Sequence, residues 1–243
     1  MKEVGVLLEL GRIPLEIFAT KLAMKNWERI RKSMANPLLL ASYKDAMTEN
    51  LLWIAGIKST LERNGMLSFF INTYNDKPLF INKRIFQTLT DQFHQNAFES
   101  INQENSKLRT YAIFKKQIGP EKYLTEIKNS STRKQVSKLR LSNHTLMIET
   151  GRHHKIPKEI RFCPFCQNAV ETEIHFLFQC PTYSTMRDIL HRNITENNPE
   201  FYSYTLTEKL EYLMTNIDLS VAKYINNSVE VRTFLLTHPK RNI

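Results

Sequence analysis

Three cysteines and one histidine within a short stretch are the residues of this sequence whose types and spacing could do chemistry. Cys163, Cys166, His175 and Cys180 follow the spacing Cys-x2-Cys-x8-His-x4-Cys. Three sulfur donors and one nitrogen donor are the number and the kinds of ligand that structural zinc takes in tetrahedral sites. The spacing therefore predicts a structural Zn²⁺ bound by these four side chains.

Three other interpretations of the same residues are open. Reduced cysteines that pack in a core beside a hydrogen-bonded histidine would need no metal. A catalytic zinc keeps one coordination position open, whereas four protein ligands close it. A thioredoxin-type redox pair belongs at a strand-to-helix junction with βαβ surroundings, which this sequence does not indicate. Structural zinc fits best, and an odd count of closely spaced cysteines indicates reduced thiols in an intracellular compartment, nuclear or cytoplasmic.

Local elements must bring the four ligands together. The Cys-x-x-Cys segment predicts a tight turn that points both thiolates at one centre. "VETEIHFLFQC" predicts a short helix with Glu171 and Glu173 in its first turn, where acids suit the helix dipole. Five residues of an α-helix rotate a side chain by about 140° net, so His175 and Cys180 cannot share a face of one continuous helix. We therefore expect the helix to end before Cys180, where Pro181 disfavours helical backbone.

The segment that precedes the cysteines, residues 128–161, is strongly basic. It holds nine Lys or Arg residues against two Glu, which gives +7 of the chain's formal net charge of +10. A helix predicted over residues 132–143 turns Val136 and Leu139 inward and its cations outward, where they could contact phosphates. The alternative is a solvated basic face that has no partner.

The basic segment supplies the candidate nucleic-acid contacts. They are Arg133, Lys134, Lys138, Arg140, Arg152, Lys155, Lys158 and Arg161. His144, His153 and His154 could add polar contacts. Phe162 or Phe165 could stack on an unpaired base, although both residues also suit the small core of a zinc unit.

Helical periodicity dominates the rest of the chain. Six glycines and nine prolines in 243 residues are too few for the frequent turns of an all-β protein. The first strong pattern, Leu15 to Met34, repeats apolar residues at helical spacing and ends before Pro37. Helices are predicted over residues 15–34, 38–64, 83–102, 108–117, 132–143, 182–194, 207–216 and 219–237, with a loop or strand over 71–82. The predicted fold is all-α, a multi-helix body with one small embedded zinc-binding unit made of a short turn or hairpin plus a helix.

The polar run "NQENS" at residues 102–106 indicates a boundary between an N-terminal helical region, residues 1–105, and a basic region, residues 106–243. We expect a packing core that consists of Trp27, Trp53, Phe69, Phe70, Phe86, Phe93 and Phe98. No apolar run approaches the roughly 20 residues that span a bilayer, so a membrane is not among the expected partners.

Four stretches carry a resemblance to a known family: "ELGRIPLEI", "KLRTYAIFK", "RKQVSKLRLSNHTLMIETGRHHKIPKEIRFCPFC" and "EIHFLFQCPTYSTMR". They resemble the region downstream of the polymerase in non-LTR, LINE-type retrotransposon reverse transcriptase polyproteins. The resemblance implies that Cys163, Cys166, His175 and Cys180 occupy the family's zinc-ligand positions and that the region binds nucleic acid. The chain departs from the rest of such an element, because it has no Tyr-x-Asp-Asp polymerase signature and no Pro-Asp nuclease motif.

The sequence thus favours a non-enzymatic module that binds RNA or DNA mainly through backbone phosphates, beside a structural Zn²⁺. A zinc-stabilised helical adaptor that binds a protein partner is the alternative, and it predicts a sizeable exposed apolar patch. A third interpretation is a relic of a nuclease or polymerase, but the acidic residues that such an active site would need are scattered along the sequence.

Overall fold

The computed structural model describes residues 2–32, 36–71, 79–103 and 106–238. Contacts divide the chain into two compact units: the 13–97 unit, and a cysteine-bearing unit made of residues 1–12 and 98–243. The sequence-based boundary between residues 105 and 106 stays a prediction. In the contact-based division, the first twelve residues belong with the cysteine-bearing unit.

The prediction of an all-α fold is confirmed. In the described parts of the chain, regular structure is helical, and pairing between extended segments is limited to isolated bridges such as Phe162 to Val170. No helix in these parts has both the length and the apolar character needed to cross a bilayer.

In its described residues, the 13–97 unit contains four whole helices and most of a fifth. They are α2 (Leu15–Lys32), α3 (Pro37–Thr48), α4 (Leu52–Arg63), α5 (Ser68–Ile71) and α6 (Leu79–Asn102), which follow α1 (Lys2–Glu9) in the chain. Pro37 occupies the first turn of α3, and the Asn36 side chain accepts a hydrogen bond from the backbone N–H of Leu39. These residue types begin helices because proline needs no donor there and asparagine satisfies a free one.

An apolar cluster stabilises the 13–97 unit. The Trp27 ring stacks on Phe70 with centroids 6.0 Å apart, and Trp27 Nε1 donates to the Tyr43 hydroxyl at 3.1 Å. The cluster consists of Met24, Trp27, Tyr43, Ala46, Ile54, Ile57, Leu61, Met66, Phe70, Ile81 and Ile85.

Three predictions for the 13–97 unit need correction. The single helix predicted over residues 38–64 is wrong, because the chain turns between α3 and α4 at Asn50, whose φ of 49° is the left-handed conformation that asparagine tolerates. Trp53 is 42% exposed, so it is not core. Most of the loop or strand predicted over 71–82 lies outside the described residues, and from residue 79 the chain is helical.

The cysteine-bearing unit contains the remaining helices. They are α1, then α7 (Arg109–Phe114), α8 (Tyr123–Glu126), α9 (Ser130–Arg140), α10 (Met147–His153), α11 (Ser184–Asn197), α12 (Leu206–Thr215) and α13 (Leu219–Thr237). Helix α13 packs against α9 and α11, and α12 packs against α7. Side-chain caps begin three of these helices: Asn129 for α9, Thr205 for α12 and Asp218 for α13.

Gly11 allows the segment after α1 to approach residues 119–121. Its φ is 60°, and a Cβ there would lie 2.3 Å from the backbone nitrogen of Pro120. The adjacent backbone is paired, because the N–H of Glu121 donates to the carbonyl of Glu9 at 3.1 Å. Only glycine fits this contact, which brings Glu9 beside the basic segment.

Candidate metal centre

A hairpin-like turn positions the first two cysteines. The N–H of Cys163 donates to the carbonyl of Ala169 at 2.9 Å, and the N–H of Gln167 donates to the carbonyl of Cys163 at 3.0 Å. Gln167 takes a left-handed φ of 55°, which turns the chain back directly after Cys166. The predicted tight turn therefore lies within a short hairpin closed by the bridge between Phe162 and Val170.

A π-helical turn, residues His175–Gln179, positions the other two ligands. The N–H of Cys180 donates to the carbonyl of His175 at 2.8 Å, so the two ligand residues are the ends of one i to i+5 hydrogen bond. The helix does end before Cys180, as the sequence predicts. The α-helical rotation assumed for the segment is wrong, because the wider π turn returns the chain to the same side after five residues.

Side chains from two neighbouring helices hold this turn in place. Tyr224 of α13 donates from its hydroxyl to the carbonyl of Leu177 at 2.6 Å. Arg187 of α11 donates to the carbonyl of Cys180 at 3.0 Å. Carbonyls at a helix end lack intrahelical donors, so these two bonds help to satisfy them. The Cys180 carbonyl also accepts from the N–H of Tyr183 at 3.3 Å.

The four candidate ligand atoms converge on one point. They lie within 4.8 Å of one another, with Cys163 Sγ 3.8 Å from Cys180 Sγ and Cys166 Sγ 3.4 Å from His175 Nε2. Zn–S bonds of about 2.3 Å and Zn–N bonds of about 2.0 Å at tetrahedral angles place two sulfurs about 3.8 Å apart, and sulfur and nitrogen about 3.5 Å apart. Cys163, Cys166, His175 and Cys180 therefore lie close enough to bind a metal ion, at separations that fit tetrahedral S₃N coordination.

Burial affects the protonation of these ligands. It raises the pKa of the Cys163 thiol to about 12, with the charges of Cys180 and Glu171 adding to the effect. It lowers the pKa of His175, so the imidazole is neutral and can offer a lone pair at neutral pH. A cation at this point would offset the burial of the thiolate and favour its deprotonated form.

Glu171 and Glu173, which lie between Cys166 and His175 in the chain, are buried ion partners rather than surface acids at a helix dipole. Both oxygens of Glu171 accept from Arg232 of α13, at 2.9 and 2.8 Å, and Glu171 Oε2 also accepts from the N–H of Met147 at 2.7 Å. Glu173 accepts from His144 Nε2 at 3.0 Å and pairs with Arg109 at 3.4 Å. The dipole role predicted for these acids is thus replaced by ion pairs that fix the cysteine segment to the helices around it.

The charge state of Glu173 follows from its partners. Burial alone raises the pKa of Glu173, but the hydrogen bond and charge of His144, together with Arg109, outweigh burial and lower the pKa to about 2. His144 is therefore committed to Glu173 and is not a surface contact, whereas His153 and His154 are exposed.

The sequence did not predict that Glu149 is also buried, nor that Arg109 and Arg152 are its partners. Glu149, which is 1% exposed, accepts from Arg109 at 3.0 Å and from Arg152 at 2.7 Å. Arg109 therefore joins Glu149 to Glu173. The sequence carried a weak signal, since each of these acids adjoins an apolar residue in "MIETG" and "VETEIHF", but apart from Arg152 their partners are far away in the chain.

The prediction that Arg140 lies on the outside of its helix is wrong. Its guanidinium is buried, with Nε 2.5 Å from Glu9 Oε1 and Nη2 2.9 Å from Glu121 Oε2. Nη1 donates to the carbonyl of Met214, and the group lies 4.6 Å from the centroid of the Phe114 ring. Arg140 is fully engaged inside the protein, so it cannot reach a phosphate in this structure.

Arg133 and Arg161 are half-buried and bonded to backbone carbonyls. Arg133 donates to the carbonyl of Ile127 at 2.8 Å. Arg161 donates to the carbonyls of Ile148 and Ile156 at 2.8 and 2.7 Å. The Arg161 side chain packs across Gly151. A Cβ at residue 151 would lie only 2.7 Å from the Cγ of Arg161. Arg161 thus closes the loop that follows α10.

The remaining cations predicted to contact nucleic acid are accessible. Lys134, Lys155 and Lys158 are exposed, and Lys138 is half-buried. Arg152 is 40% exposed although it pairs with Glu149. The accessible set is therefore Lys134, Lys138, Arg152, Lys155 and Lys158, and three of its members lie within residues 152–158, at the end of α10 and in the segment after it.

The two candidate stacking residues differ in accessibility. Phe162 is 46% exposed, whereas Phe165 packs edge-on against Tyr183 at 6.5 Å and lies beneath the guanidinium of Arg232 at 5.9 Å. Phe165 is therefore part of the small core beside the cysteines, whereas Phe162 lies outside that core.

Comparison of the chain with protein-family models, with curated proteins and with solved structures finds no match.

Proposed function

We propose that this protein is a non-enzymatic nucleic-acid-binding module, similar to the C-terminal region of LINE-type retrotransposon proteins, in which a structural Zn²⁺ holds residues 163–180. Exposed cations beside the cysteine segment contact the phosphates of RNA or DNA. The compartment that fits this role is intracellular, nuclear or cytoplasmic.

The observation that carries the proposal is a cationic loop, residues 152–158, whose first two residues are the end of α10. Arg152, Lys155 and Lys158 project from it, and exposed His153 and His154 lie between them. A solvated basic face that has no partner could show the same charges. Here, however, hydrogen bonds attach the loop and the residues just before it to Arg161 and Glu171, next to and within the cysteine segment.

Two sets of hydrogen bonds make that attachment. Arg161, just before the hairpin, donates to the carbonyl of Ile148, which precedes the loop, and to that of Ile156, which lies within it. Glu171 accepts from the N–H of Met147, and its carbonyl accepts from the N–H of Ile148 at 3.2 Å. A metal that orders residues 163–180 would therefore also order the cationic loop, which links zinc to phosphate binding.

Binding through phosphates is salt-sensitive and only weakly sequence-specific, because the released counterions supply the free energy. A labelled oligonucleotide titrated at roughly 50 and 200 mM salt tests the proposal. The variant Lys155→Gln/Lys158→Gln should weaken binding and make the log–log salt slope shallower by about 0.7 to 0.9 for each phosphate that the variant no longer neutralises.

The matched control removes two exposed lysines from the 13–97 unit, as Lys44→Gln/Lys58→Gln. It changes the net charge equally and should leave the slope close to that of wild type. An affinity that does not change with salt, or an equal reduction of affinity in the control, would refute phosphate binding by this loop.

A second candidate function, a zinc-stabilised adaptor for a protein partner, is favoured by one observation. On α2, the apolar residues Leu15, Phe18 and Leu22 are 82%, 47% and 59% exposed, although their helical spacing predicted a buried face. The same unit has a cavity of about 520 Å³ between α2 and α4, which is lined by Ala19, Thr20, Ala23, Asn26, Trp27, Ile30, Trp53, Gly56, Ile57 and Thr60.

The variant Leu15→Ser/Leu22→Ser separates the two functions. It should leave oligonucleotide binding unchanged if the module binds nucleic acid. Under the adaptor function it should abolish association with a protein partner, while Lys155→Gln/Lys158→Gln should not.

A further inference from the structure

Phe162 is an exposed aromatic ring on a backbone that the hairpin holds rigid. Residue 162 forms a bridge with Val170, and the next residue, Cys163, is 1% exposed and is a candidate metal ligand. The ring itself is 46% exposed. The backbone of Phe162 is fixed, and its side chain has only two rotatable χ angles. A ligand that covers the ring is therefore bound at low entropic cost.

Near Phe162 in the chain lie an exposed apolar residue and an exposed cation, with the exposed acid Glu159 between them. Ile160, two residues earlier, is 56% exposed, and exposed Lys158 precedes it in a short 3₁₀ turn closed by the hydrogen bond from the N–H of Arg161 to the carbonyl of Lys158. Four residues of chain span at most about 14 Å, which equals roughly four nucleotides of a stacked strand. A single strand could therefore place a phosphate at Lys158 and a base at Phe162 at the same time.

We infer that the protein binds single-stranded nucleic acid in preference to duplex, with one unpaired base stacked on Phe162. This inference rests on the proposed function and adds the class of nucleic acid to it. In a duplex every base is already stacked and paired, so its phosphates can reach Lys155 and Lys158 but its bases cannot cover the ring. Every base offers a π face, so the preference is for strandedness rather than for sequence.

The test uses the full chain and two variants of Phe162. Phe162→Leu keeps apolar bulk but removes the π face, and Phe162→Trp restores an aromatic ring. Each protein is titrated with a labelled single-stranded oligonucleotide, as DNA and as RNA, and with the same strand annealed to its complement. Metal content is measured on all three proteins to verify that the cysteine unit is intact.

Phe162→Leu should bind the single strands roughly 5- to 100-fold more weakly than wild type. Its duplex affinity and its salt slope should change little, and Phe162→Trp should bind as wild type does. Wild-type single-strand affinity in Phe162→Leu with metal retained would overturn the inference, as would an equal reduction of affinity for single strand and duplex.

Different results would contradict base stacking on Phe162 and phosphate binding by the loop. If Phe162→Leu has no effect while Lys155→Gln/Lys158→Gln still reduces the salt slope, stacking is wrong and phosphate binding stands. If the wild-type protein binds neither form of nucleic acid, both are wrong.

Discussion

Both units of this protein have an apolar core, but they differ in the buried ion pairs that accompany it. In the 13–97 unit the fully buried side chains are apolar, as Met24, Leu61 and Ile85 show. In the cysteine-bearing unit buried acids are paired with arginines: Glu9 with Arg140, and Glu171 with Arg232.

The contrast shows why one unit is ready to hold a metal. Buried ions are costly unless their geometry and hydrogen bonding are complete, so such pairs fix elements in one arrangement. Around the cysteines they orient the hairpin and the π turn that carry the ligands. Apolar packing alone tolerates more adjustment.

The largest expected effect comes from removing the metal. Structural zinc in small domains is worth on the order of 10 kcal/mol of folding free energy, so chelation should unfold the ligand-bearing segment. Amide exchange should become fast over residues 163–180 and 147–161, while α2 and α4 keep their protection. Unchanged protection over residues 163–180 in chelator would show that the four side chains form a core without metal.

Breaking one buried ion pair is the next largest change. Arg232→Leu leaves the Glu171 carboxylate buried without its bidentate partner and should destabilise the cysteine-bearing unit by about 3 to 5 kcal/mol. Urea unfolding measures this destabilisation. The double variant Glu171→Leu/Arg232→Leu should recover part of it, because neither charge is then left unpaired; a double variant at least as unstable as the single would contradict the ion-pair explanation.

A substitution that creates a cavity in the apolar cluster tests how the 13–97 unit is stabilised. Leu61→Ala removes a side chain that is 0% exposed and should cost about 2 to 5 kcal/mol, with faster amide exchange in α4. Its metal content should equal that of wild type. Loss of the metal in this variant would mean that the 13–97 unit helps to hold the centre.

The pH dependence of metal affinity sharpens the role of burial. Because burial raises the pKa of Cys163 to about 12, the metal-free thiol is protonated at neutral pH and must release its proton when metal binds. Apparent affinity should therefore fall by at least about tenfold for each pH unit lowered between pH 8 and 6. Competition with a chelator of known pH dependence measures this slope, and a flat profile would exclude coordination by the Cys163 thiolate.

The smallest effect on stability is expected at exposed cations of the basic segment. Lys134→Gln should change the free energy of unfolding by no more than about 0.5 kcal/mol. Arg140→Gln, on the same helix, should destabilise the unit severely because Glu9 loses its buried partner. Equal destabilisation by the two substitutions would contradict the difference in their burial.

Much of the fold could be predicted from local patterns. Helices α9, α12 and α13 begin within two residues of their predicted starts, where Asn129, Thr205 and Asp218 act as caps. The break at Asn50 was missed because asparagine is tolerated inside a helix as well as in the left-handed conformation that ends one.

The candidate site was predictable to the extent that its residues are close in sequence. The four candidate ligands lie within residues 163–180, so their spacing was enough to group them. The buried pairs were not predictable, because Glu9 and Arg140 are 131 residues apart and Glu171 and Arg232 are 61 apart. Arg140 lies four residues after Val136, so helical spacing alone already placed it near the inward face of α9. What the sequence did not show is Glu9, the buried partner that makes a charge on that face possible.

The central claim is that three thiolates and one imidazole hold a single Zn²⁺, and metal analysis of protein purified without chelator tests it most directly. We predict close to one zinc per chain in the wild-type protein and a near-complete loss in Cys163→Ser. A wild-type protein that carries no zinc and takes up none when it is added, or a Cys163→Ser variant that keeps the wild-type content, would contradict the claim.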